Sequence, residues 1–511
     1  MNADAPIRFR NDVAVNVSYE DLTPFGSPHG HGPDRAVRQA FAPLLDKLRA
    51  SQNPYGILRS PRTALEALAE NPVWKAMTQP HSDGWTIRPE VLFPEPGRNK
   101  PRYLTVARPD HDLVVRGRLP DDYWPEAHEL ISSLALGGLI PAIQARLHPH
   151  LRKFVQAMHD QDLLETVSEA EPDAASPAKR PELLFLGHNS VVVSSASTSV
   201  IIDPLLFAYS AAHPEGYQPV LVHELGRPPD AIVITHSHPD HFDPASLLRF
   251  PAVTTVVVPW IERETFLSVD LGRRLAELGF TDVRRLRWNE RTQVGDISVS
   301  AYPFYGEQPT DTSWIQPEIR NQGCTYRIDT PTASAVFLAD SGVDHLGDVR
   351  EVALSARRQD GAVDAVFCGY RGWLTYPVQL LASSVARYFL FVPPDLWPCR
   401  MTLMATADMA LDIAERWGAK LFCAYADGGA PWHWRIGLGP CLDGSAQDDF
   451  AFDPFPERVI DAAARRSGGA GGSLVKSPVE AMVLRPGQGL RALGRVRRPE
   501  LVEIDGHRWP F

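Results

Sequence analysis

Short apolar runs, each bounded by turn-forming or charged residues, recur along the chain from about residue 183 onward. Examples are SAVFLA at residues 334–339, AVFCGY at 365–370 and KLFCAY at 420–425. Runs of this length and composition predict buried β-strands. Between them lie amphipathic segments such as ETFLSVDLGRRLAELGF at residues 264–280, whose period predicts a helix that ends near Gly279. The alternation predicts a layered protein of strands and helices.

The first part of the chain has a different pattern. Residues 103–119 carry two strand-like runs joined by an Asp-rich turn, whereas residues 124–166 are mostly helical in period. In residues 151–158 the apolar side chains fall at i, i+3, i+4 and i+7, which predicts a helix face packed against a core. The three predicted helices resemble a winged-helix-like or peptide-chaperone-like module. A plain helical packing domain fits the same pattern.

A stretch without apolar period separates the two parts. SEAEPDAASPAKRP at residues 168–181 collects Ala, Pro, Ser and charged residues, a composition typical of a linker. We therefore predict an N-terminal domain at residues 1–167, for dimerisation or recognition of a partner, and a catalytic domain at residues 182–511.

Composition and charge narrow the class of function. Of the 511 residues, 44% are hydrophobic and 22% are charged, as in soluble globular proteins. The formal net charge is −11 and no Lys/Arg stripe stands out, which argues against a nucleic-acid surface. No run approaches about 20 apolar residues, so no membrane span is predicted. The first residues lack the hydrophobic core of a signal peptide, and we therefore expect a cytoplasmic location. Five scattered cysteines without a CxxC pair indicate neither a disulfide framework nor a zinc knuckle.

The densest polar cluster follows one of the apolar runs, in AIVITHSHPDH at residues 231–241. His236 and His238 are two residues apart in an extended segment, so their side chains point the same way and can bind one metal ion. Asp240 and His241 come next and can serve a second ion a few ångströms away. Imidazole and carboxylate groups are the usual ligands of zinc, iron and manganese. The segment therefore predicts a metal site with room for two ions.

The HxHxDH spacing resembles that of the metallo-β-lactamase superfamily. Residues 183–204 are similar to the opening strands of that superfamily, including an Asp–Pro turn at Asp203. The run at residues 335–339 delivers Asp340 to the place of the aspartate that bridges the two metals in the superfamily. The resemblance covers about residues 183–440. It implies an α+β fold, the αββα sandwich of the superfamily, preceded here by a mixed, mainly helical N-terminal domain.

One position departs from the superfamily pattern. The superfamily supplies a third histidine to the first metal, but no histidine occurs between His241 and His345. At the expected place, after the strand-like run that ends at Phe304, the sequence YGEQPTD offers Glu307 instead. A carboxylate in place of an imidazole makes the site harder and more anionic, which shifts its preference from zinc toward iron or manganese.

This ligand combination resembles that of the di-iron oxygenases with a metallo-β-lactamase fold, the β-hydroxylase family of chloramphenicol biosynthesis. That family hydroxylates the β-carbon of an aryl amino acid held as a thioester on a carrier domain. The metal ligands that the resemblance implies are His236, His238 and Glu307 on iron one, Asp240 and His241 on iron two, and Asp340 as the bridge. The superfamily's further histidine on the second metal is missing here, and Asp427, after the strand-like run at residues 420–425, is favoured in its place. Glu307 and Asp340 are the implied catalytic residues. There are two alternatives to Asp427 at the second iron. One is His433, and the other is a coordination position left open for dioxygen or water.

The resemblance also implies a function and its cofactors. Two iron ions with dioxygen as co-substrate would make the protein a monooxygenase of antibiotic or nonribosomal-peptide biosynthesis. Its substrate would be an amino acid presented on a carrier protein or a peptide. No flavin fingerprint occurs in the sequence, so an external electron donor is expected, together with a homodimer and no nucleic-acid or membrane partner. The alternatives are a dinuclear hydrolase with two zinc ions, the default for this fold, and a non-catalytic scaffold, which the retained ligands disfavour.

Overall fold

The computed structural model of the protein describes most of the chain. The described residues are 6–19, 32–51, 53–60, 66, 68–81, 84–95, 101–136, 138–139, 141–167, 181–210, 219–310, 319–370, 376–383, 385–401, 403–426, 458–467, 479–494 and 499–503. Among these residues no helix combines the length and the apolar character that crossing a membrane requires.

Strands and helices are numbered here in chain order. The strands are β1 (Ile7–Phe9), β2 (Ala14–Tyr19), β3 (Thr78–His81), β4 (Gly84–Ile87), β5 (Pro101–Arg108), β6 (Leu113–Arg118), β7 (Leu164–Thr166), β8 (Leu183–Gly187), β9 (Ser190–Ser194), β10 (Ser199–Ile202), β11 (Ala231–Val233), β12 (Thr255–Pro259), β13 (Val283–Leu286), β14 (Arg291–Val294), β15 (Ile297–Pro303), β16 (Cys324–Asp329), β17 (Ser334–Phe337), β18 (Val343–Asp344), β19 (Gly347–Asp348), β20 (Ala365–Cys368), β21 (Leu421–Ala424), β22 (Glu480–Val483), β23 (Gln488–Arg491) and β24 (Glu500–Glu503). The α-helices are α1 (Gly32–Ala50), α2 (Pro54–Leu58), α3 (Pro72–Met77), α4 (Pro89–Leu92), α5 (Trp124–Leu136), α6 (Pro141–Arg146), α7 (Pro149–Asp160), α8 (Pro244–Leu247), α9 (Leu271–Glu277), α10 (Val349–Asp360), α11 (Ala407–Trp417) and α12 (Arg458–Ser467). Short 3-10 helices lie at Pro109–His111, Asp121–Tyr123, Val222–Leu225, Pro377–Ala382, Ala386–Phe391 and Pro394–Leu396.

Two large mixed sheets form the centre of the molecule. The first has the order β13-β12-β11-β10-β9-β8-β23-β24, and the second has the order β14-β15-β16-β17-β20-β21-β22. Strands β10 to β13 are parallel in the first sheet, and β17, β20, β21 and β22 are parallel in the second. The carboxyl ends of parallel strands share one edge of a sheet, where open α/β sheets characteristically carry their ligand sites. That edge is where the predicted metal ligands follow their strands.

The sheets pack face to face because their side chains alternate between two hydrophobic layers. In β10, Val200 and Ile202 enter the core between the sheets, whereas Ile201 enters the core on the outer face of the first sheet. Helices α10, α11 and α12 cover the outer face of the second sheet through another apolar cluster. Helix, two sheets and helix give the predicted αββα sandwich.

The N-terminal region combines strands and helices and shares two cores with the sandwich. One core joins Leu130 of α5 to Leu275 of α9 and to Val256 of β12. The other joins Phe41 of α1 to Phe389, which lies in the insert between β20 and β21. The boundary predicted at residues 168–181, and the recognition role of the N-terminal region, stay predictions.

Two predicted helices differ from the observed elements. Leu164–Thr166, predicted to be helical, forms a strand that pairs antiparallel with Ile7–Phe9, so tertiary pairing overrides the local period. In residues 264–280 only Leu271–Glu277 is helical. The side chain of Asp270 accepts a hydrogen bond from the first turn of that helix and so fixes where it begins.

His128 links the N-terminal region to the sandwich, and its removal should destabilise the protein. The imidazole is fully buried, with Nδ1 at 2.9 Å from Leu278 O and Nε2 at 2.7 Å from Phe250 O. His128→Ala removes the buried ring and leaves one carbonyl group without its donor, and it should lower the free energy of unfolding by about 1–3 kcal/mol. Urea unfolding followed by tryptophan fluorescence measures the change. His159→Ala, at a half-exposed histidine of the same region, should change it by under about 0.5 kcal/mol. Equal effects of the two substitutions would contradict this role.

Candidate metal centre

The loop after β11 carries the HxHxDH motif at the carboxyl ends of the parallel strands. The chain leaves β11 at Val233, and an isolated bridge pairs His236 with Gly323, directly before β16 of the second sheet. A Cβ atom at Gly323 would lie 2.9 Å from Cβ of His236, so this close approach requires glycine. The bridge places the first histidine of the motif at the junction of the two sheets.

Four side chains converge at this junction: His236, His238, Glu307 and Asp340. One donor atom from each lies within 4.8 Å of the others. Glu307 is placed between the two imidazoles, with Oε2 at 3.2 Å from His236 Nε2 and Oε1 at 3.1 Å from His238 Nδ1. The carboxylate therefore occupies the place where the superfamily pattern leads one to expect a third imidazole.

A second group adjoins the first and consists of His188, Asp240 and His241, again with donor atoms within 4.8 Å of one another. Nε2 of His188 lies 3.1 Å from Oδ2 of Asp240. Asp340 lies between the two groups, because its Oδ2 is 3.4 Å from His241 Nε2 and 4.0 Å from His236 Nε2. A ligand that bridges two ions needs this intermediate position.

Hydrogen bonds from the β10–β11 edge orient two of the histidines. Asp203, fully buried after β10, accepts from Nδ1 of His241 at 2.7 Å and from the hydroxyl of Thr235 at 2.6 Å. The same hydroxyl lies 3.0 Å from Nδ1 of His236 and accepts from it. Both rings then carry their proton on Nδ1, which leaves the Nε2 lone pair directed into the centre.

The turn that presents Glu307 is held from both sides. Gly306 and Glu307 both have left-handed backbones, with φ of 82° and 49°, and a Cβ atom at Gly306 would lie 2.5 Å from the nitrogen of Gly342. Asn321 donates from Nδ2 to Oε2 of Glu307 at 3.1 Å. The side chain of Gln308 in turn exchanges two hydrogen bonds with the backbone of Asn321, at 2.9 and 3.0 Å. These contacts fix both the position and the orientation of the carboxylate.

Several residues of the centre have strained backbone angles. Positive φ angles occur at His188 (48°), Asp203 (40°) and Glu307 (49°), and at Ala339 (50°), which directly precedes Asp340. For residues with a Cβ this region costs about 1–2 kcal/mol each. Such strain persists where the surrounding structure over-determines it, typically at functional sites.

Burial and neighbouring charges shift the proton affinities of the histidines in opposite directions. Burial, together with the adjacent imidazole of His236, holds the pKa of His238 well below its ordinary value. Burial also opposes a charge on His241, but Asp203 and Asp340 raise the pKa of that imidazole well above its ordinary value. The two carboxylates that favour positive charge on His241 would attract a metal cation in the same way.

The free donor atoms of the centre fit metal ions. His236 Nε2, His238 Nδ1, His241 Nε2 and Asp340 Oδ1 are buried without a hydrogen-bond partner among the described residues. Buried polar atoms are otherwise nearly always hydrogen-bonded, because an unsatisfied one costs about 1–3 kcal/mol. Imidazole nitrogens and carboxylate oxygens that converge at these separations are suited to divalent iron, zinc or manganese.

The structure brings most of the predicted ligands together. The predicted residues that meet at the centre are His236, His238, Asp240, His241, Glu307 and Asp340. Asp427 and its alternative His433 lie outside the described residues. That these side chains bind metal stays a proposal.

Sequence reasoning missed several residues that contact the centre. Asp203 was predicted only as part of a turn, although an aspartate at the end of a buried strand beside the motif strand was a usable signal. For His188, directly after an early strand, the sequence allowed both a position near the metals and a hydrogen-bonded structural role, and the structure places it 3.1 Å from Asp240. Asn321 and Tyr388 carry no local signal, because each reaches the centre from a distant segment.

Comparison with known proteins agrees with this architecture. Residues 198–356 match the model of the beta-lactamase superfamily domain. The crystal structure of CmlA, a diiron beta-hydroxylase from Streptomyces venezuelae, matches with a TM-score of 0.59 and 17% sequence identity, over 98% of this chain and 100% of that one. The protein therefore has a metallo-β-lactamase fold, and its N-terminal region is included in the structural match.

Similarity in sequence is more local. Over 155 residues the chain is 35% identical to a Streptomyces venezuelae protein, the 4-amino-L-phenylalanyl-(CmlP-peptidyl-carrier-protein) 3-hydroxylase. The aligned region covers 29% of this chain and 29% of that protein. Over 129 residues the chain is 26% identical to a UPF0173 protein from Pyrococcus abyssi. This aligned region covers 25% of this chain and 50% of that protein. The sequence matches thus span half or less of these relatives.

Asp203→Asn should weaken metal binding without removing a ligand. The amide has the size of the carboxylate but no charge, so it holds the Nδ1 proton of His241 less strongly and makes Nε2 a poorer donor. We expect the dissociation constant for divalent metal to rise about 10–100-fold, measured by competition with a chromophoric chelator. Asp282→Asn, at a half-exposed aspartate paired with Arg284, is the control and should leave the affinity unchanged. Wild-type affinity in Asp203→Asn would exclude this supporting role.

Proposed function

We propose that the protein is a dioxygen-dependent di-iron monooxygenase that hydroxylates the β-carbon of an amino acid presented on a carrier protein. The proposal places it in antibiotic or nonribosomal-peptide biosynthesis. The observation that carries it is the position of Glu307 between His236 and His238. With Asp240 and Asp340 this carboxylate makes the donor set rich in hard oxygen ligands, which favours iron over zinc.

The residues of the centre have distinct parts in this proposal. His236, His238 and Glu307 would hold one iron and Asp240 and His241 the other, with Asp340 between them. When bound, the irons would supply the chemistry that places one oxygen atom of dioxygen in a C–H bond and releases the other as water, with two electrons and two protons from an external donor. His236, His238, His241 and Asp340 are buried, whereas the side chains of Asp240 and Glu307 are each 12% exposed, so bulk water has little access to the centre.

The form of the substrate is proposed from a relative. The hydroxylase that matches at 35% identity acts, by its name, on an aminophenylalanyl group carried on a peptidyl carrier protein. A substrate bound to a partner would also give the N-terminal region a recognition role. The homodimer and the external electron donor belong to the same proposal.

Metal content is the first test of the proposed function. Protein purified without added metal should contain about two irons per chain by elemental analysis, with a Mössbauer spectrum of coupled ferric ions in the oxidised sample. Two zinc ions and no iron would instead favour the dinuclear hydrolase and overturn the oxygenase.

Glu307→His should convert the centre toward zinc. The substitution restores a third imidazole to the first metal and removes a negative charge, so softer nitrogen ligands dominate. We expect the iron-to-zinc ratio to fall and hydroxylation to be lost. Glu351→His, at an exposed position of α10, should keep both the iron content and the activity. Unchanged iron content and activity in Glu307→His would remove the main argument for iron.

Carrier attachment has its own test. Aryl amino acids should be hydroxylated when they are supplied as thioesters on a peptidyl carrier protein, with dioxygen and a chemical reductant, and should not react when they are free. Mass spectrometry of the released amino acid detects a gain of one oxygen atom. Equal reaction of the free amino acid would contradict presentation on a carrier while leaving the oxygenase chemistry in place.

A further inference from the structure

The insert between β20 and β21 contacts the metal centre through the hydroxyl group of Tyr388. Tyr388 lies in the 3-10 helix Ala386–Phe391 and is 1% exposed. Its hydroxyl oxygen is 2.6 Å from Nε2 of His238, and the two rings meet edge to face with centroids 5.3 Å apart. The shortness of this contact indicates a strong hydrogen bond.

The contact decides which nitrogen of His238 faces the centre. Nδ1 of His238 lies 3.1 Å from Glu307 and has no hydrogen-bond partner among the described residues. If Nδ1 is to donate its lone pair to a metal, the ring proton must sit on Nε2, where the oxygen of Tyr388 accepts it. With Nδ1 directed at a metal, His238 would take the tautomer opposite to that of His236 and His241, and its Nε2 proton would be donated to Tyr388.

The residue before Tyr388 is tied to the N-terminal region by a buried ion pair. Arg387 donates from Nη2 to Oδ2 of Asp34 at 2.8 Å, from Nε to the same oxygen at 3.0 Å, and from its backbone nitrogen to Oδ1 at 2.8 Å. The Asp34 side chain is fully buried and the Arg387 side chain is 7% exposed. Nη1 of Arg387 also donates to the carbonyl of Phe266 at 3.2 Å. Breaking this ion pair would leave a buried charge without a partner. The pair therefore fixes the backbone at Arg387 relative to Asp34.

Aromatic packing supports the same connection. Phe41 of α1 meets Phe389 with ring centroids 5.0 Å apart and Trp397 with centroids 6.3 Å apart, both edge to face. Asp34 lies in the first turn of that same helix. Helix α1 thus contacts the residues on both sides of Tyr388 in the sequence, by charge at Arg387 and by apolar packing at Phe389.

We propose that Tyr388 is a positioning residue for the first metal site, and that Asp34 of the N-terminal helix fixes it through Arg387. This inference rests on the metal centre of the proposed function but not on its oxygenase chemistry. The N-terminal region then completes the metal centre, in addition to any role in recognising a partner.

Titration of the metal-free full-length protein with Co²⁺ tests the role of Tyr388. Visible absorption reports the environment of each ion, and competition with a chelator gives the two dissociation constants. In Tyr388→Phe, which keeps the ring, we expect one dissociation constant to rise about 10–100-fold with an altered Co²⁺ spectrum, and the other to stay unchanged. Tyr302→Phe is the matched control, since it also removes a buried hydroxyl with a short hydrogen bond, here 2.5 Å to Asp360. It should leave both constants unchanged.

The outcomes separate this inference from the proposed function. If wild-type protein binds two ions and Tyr388→Phe binds both with wild-type affinity and spectrum, the positioning role is overturned. A weakening of both sites to the same extent, as from general destabilisation, overturns it as well. If wild-type protein binds no pair of ions, the metal centre itself fails, whatever the variant does.

A double-mutant cycle tests the link to the N-terminal helix. Arg387→Lys keeps the charge opposite Asp34 but loses the two-pronged guanidinium geometry. We expect it to weaken the first site in the wild-type background and to have no further effect in the Y388F background, because it acts through the tyrosine. If Arg387→Lys raises the dissociation constant by the same factor in both backgrounds, or changes it in neither, Asp34 and Arg387 do not act through Tyr388 and the proposal is overturned. Circular dichroism of all four proteins confirms that each is folded.

Discussion

The structure depends on gathering several carboxylates and imidazoles at one buried junction between two sheets. Asp203, Asp240, Glu307 and Asp340 lie there in a low-dielectric environment, where charges without partners are costly. Part of the compensation is direct, because Asp203 accepts a hydrogen bond from Nδ1 of His241 at 2.7 Å and Asp340 lies 3.4 Å from Nε2 of the same ring. Among the described residues, His236 Nε2, His238 Nδ1, His241 Nε2 and Asp340 Oδ1 have no hydrogen-bond partner. Metal cations would neutralise the carboxylates and accept the lone pairs of these atoms.

Several of the residues at the centre follow β-strands, so the sheets position them and not loops alone. Asp203, His236 and Asp340 each follow a strand that runs in the same direction as its parallel neighbours, so a rigid hydrogen-bonded ladder sets their spacing. Glu307 follows β15 in the same way, since two antiparallel pairings bring that strand into the direction of β17. Ligands placed by sheets keep their geometry without depending on the more variable connecting segments.

Around the ligands a layer of hydrogen bonds determines which atom each one presents. Asp203 and Thr235 contact Nδ1 of His241 and His236, Asn321 and Gln308 orient Glu307, and Tyr388 contacts Nε2 of His238. The last of these contacts depends on an insert whose packing includes the N-terminal helix. The N-terminal region and the sandwich are therefore continuous in packing, and the apolar clusters that they share are as buried as those between the sheets.

Sequence by itself determined the features that repeat locally. The strands of the sandwich follow from apolar runs, and the HxHxDH spacing and the aspartate after β17 identify most of the candidate ligands. The absence of a histidine between His241 and His345 was enough to single out Glu307. Tertiary structure decided what depends on pairing between distant segments: the strand at Leu164–Thr166, and the contact of Tyr388 with His238 over 150 residues. The contact of Asp34 with Arg387 spans 353 residues. A local pattern encodes the period and polarity of one element, but which elements meet is set by how all of their apolar faces are buried together.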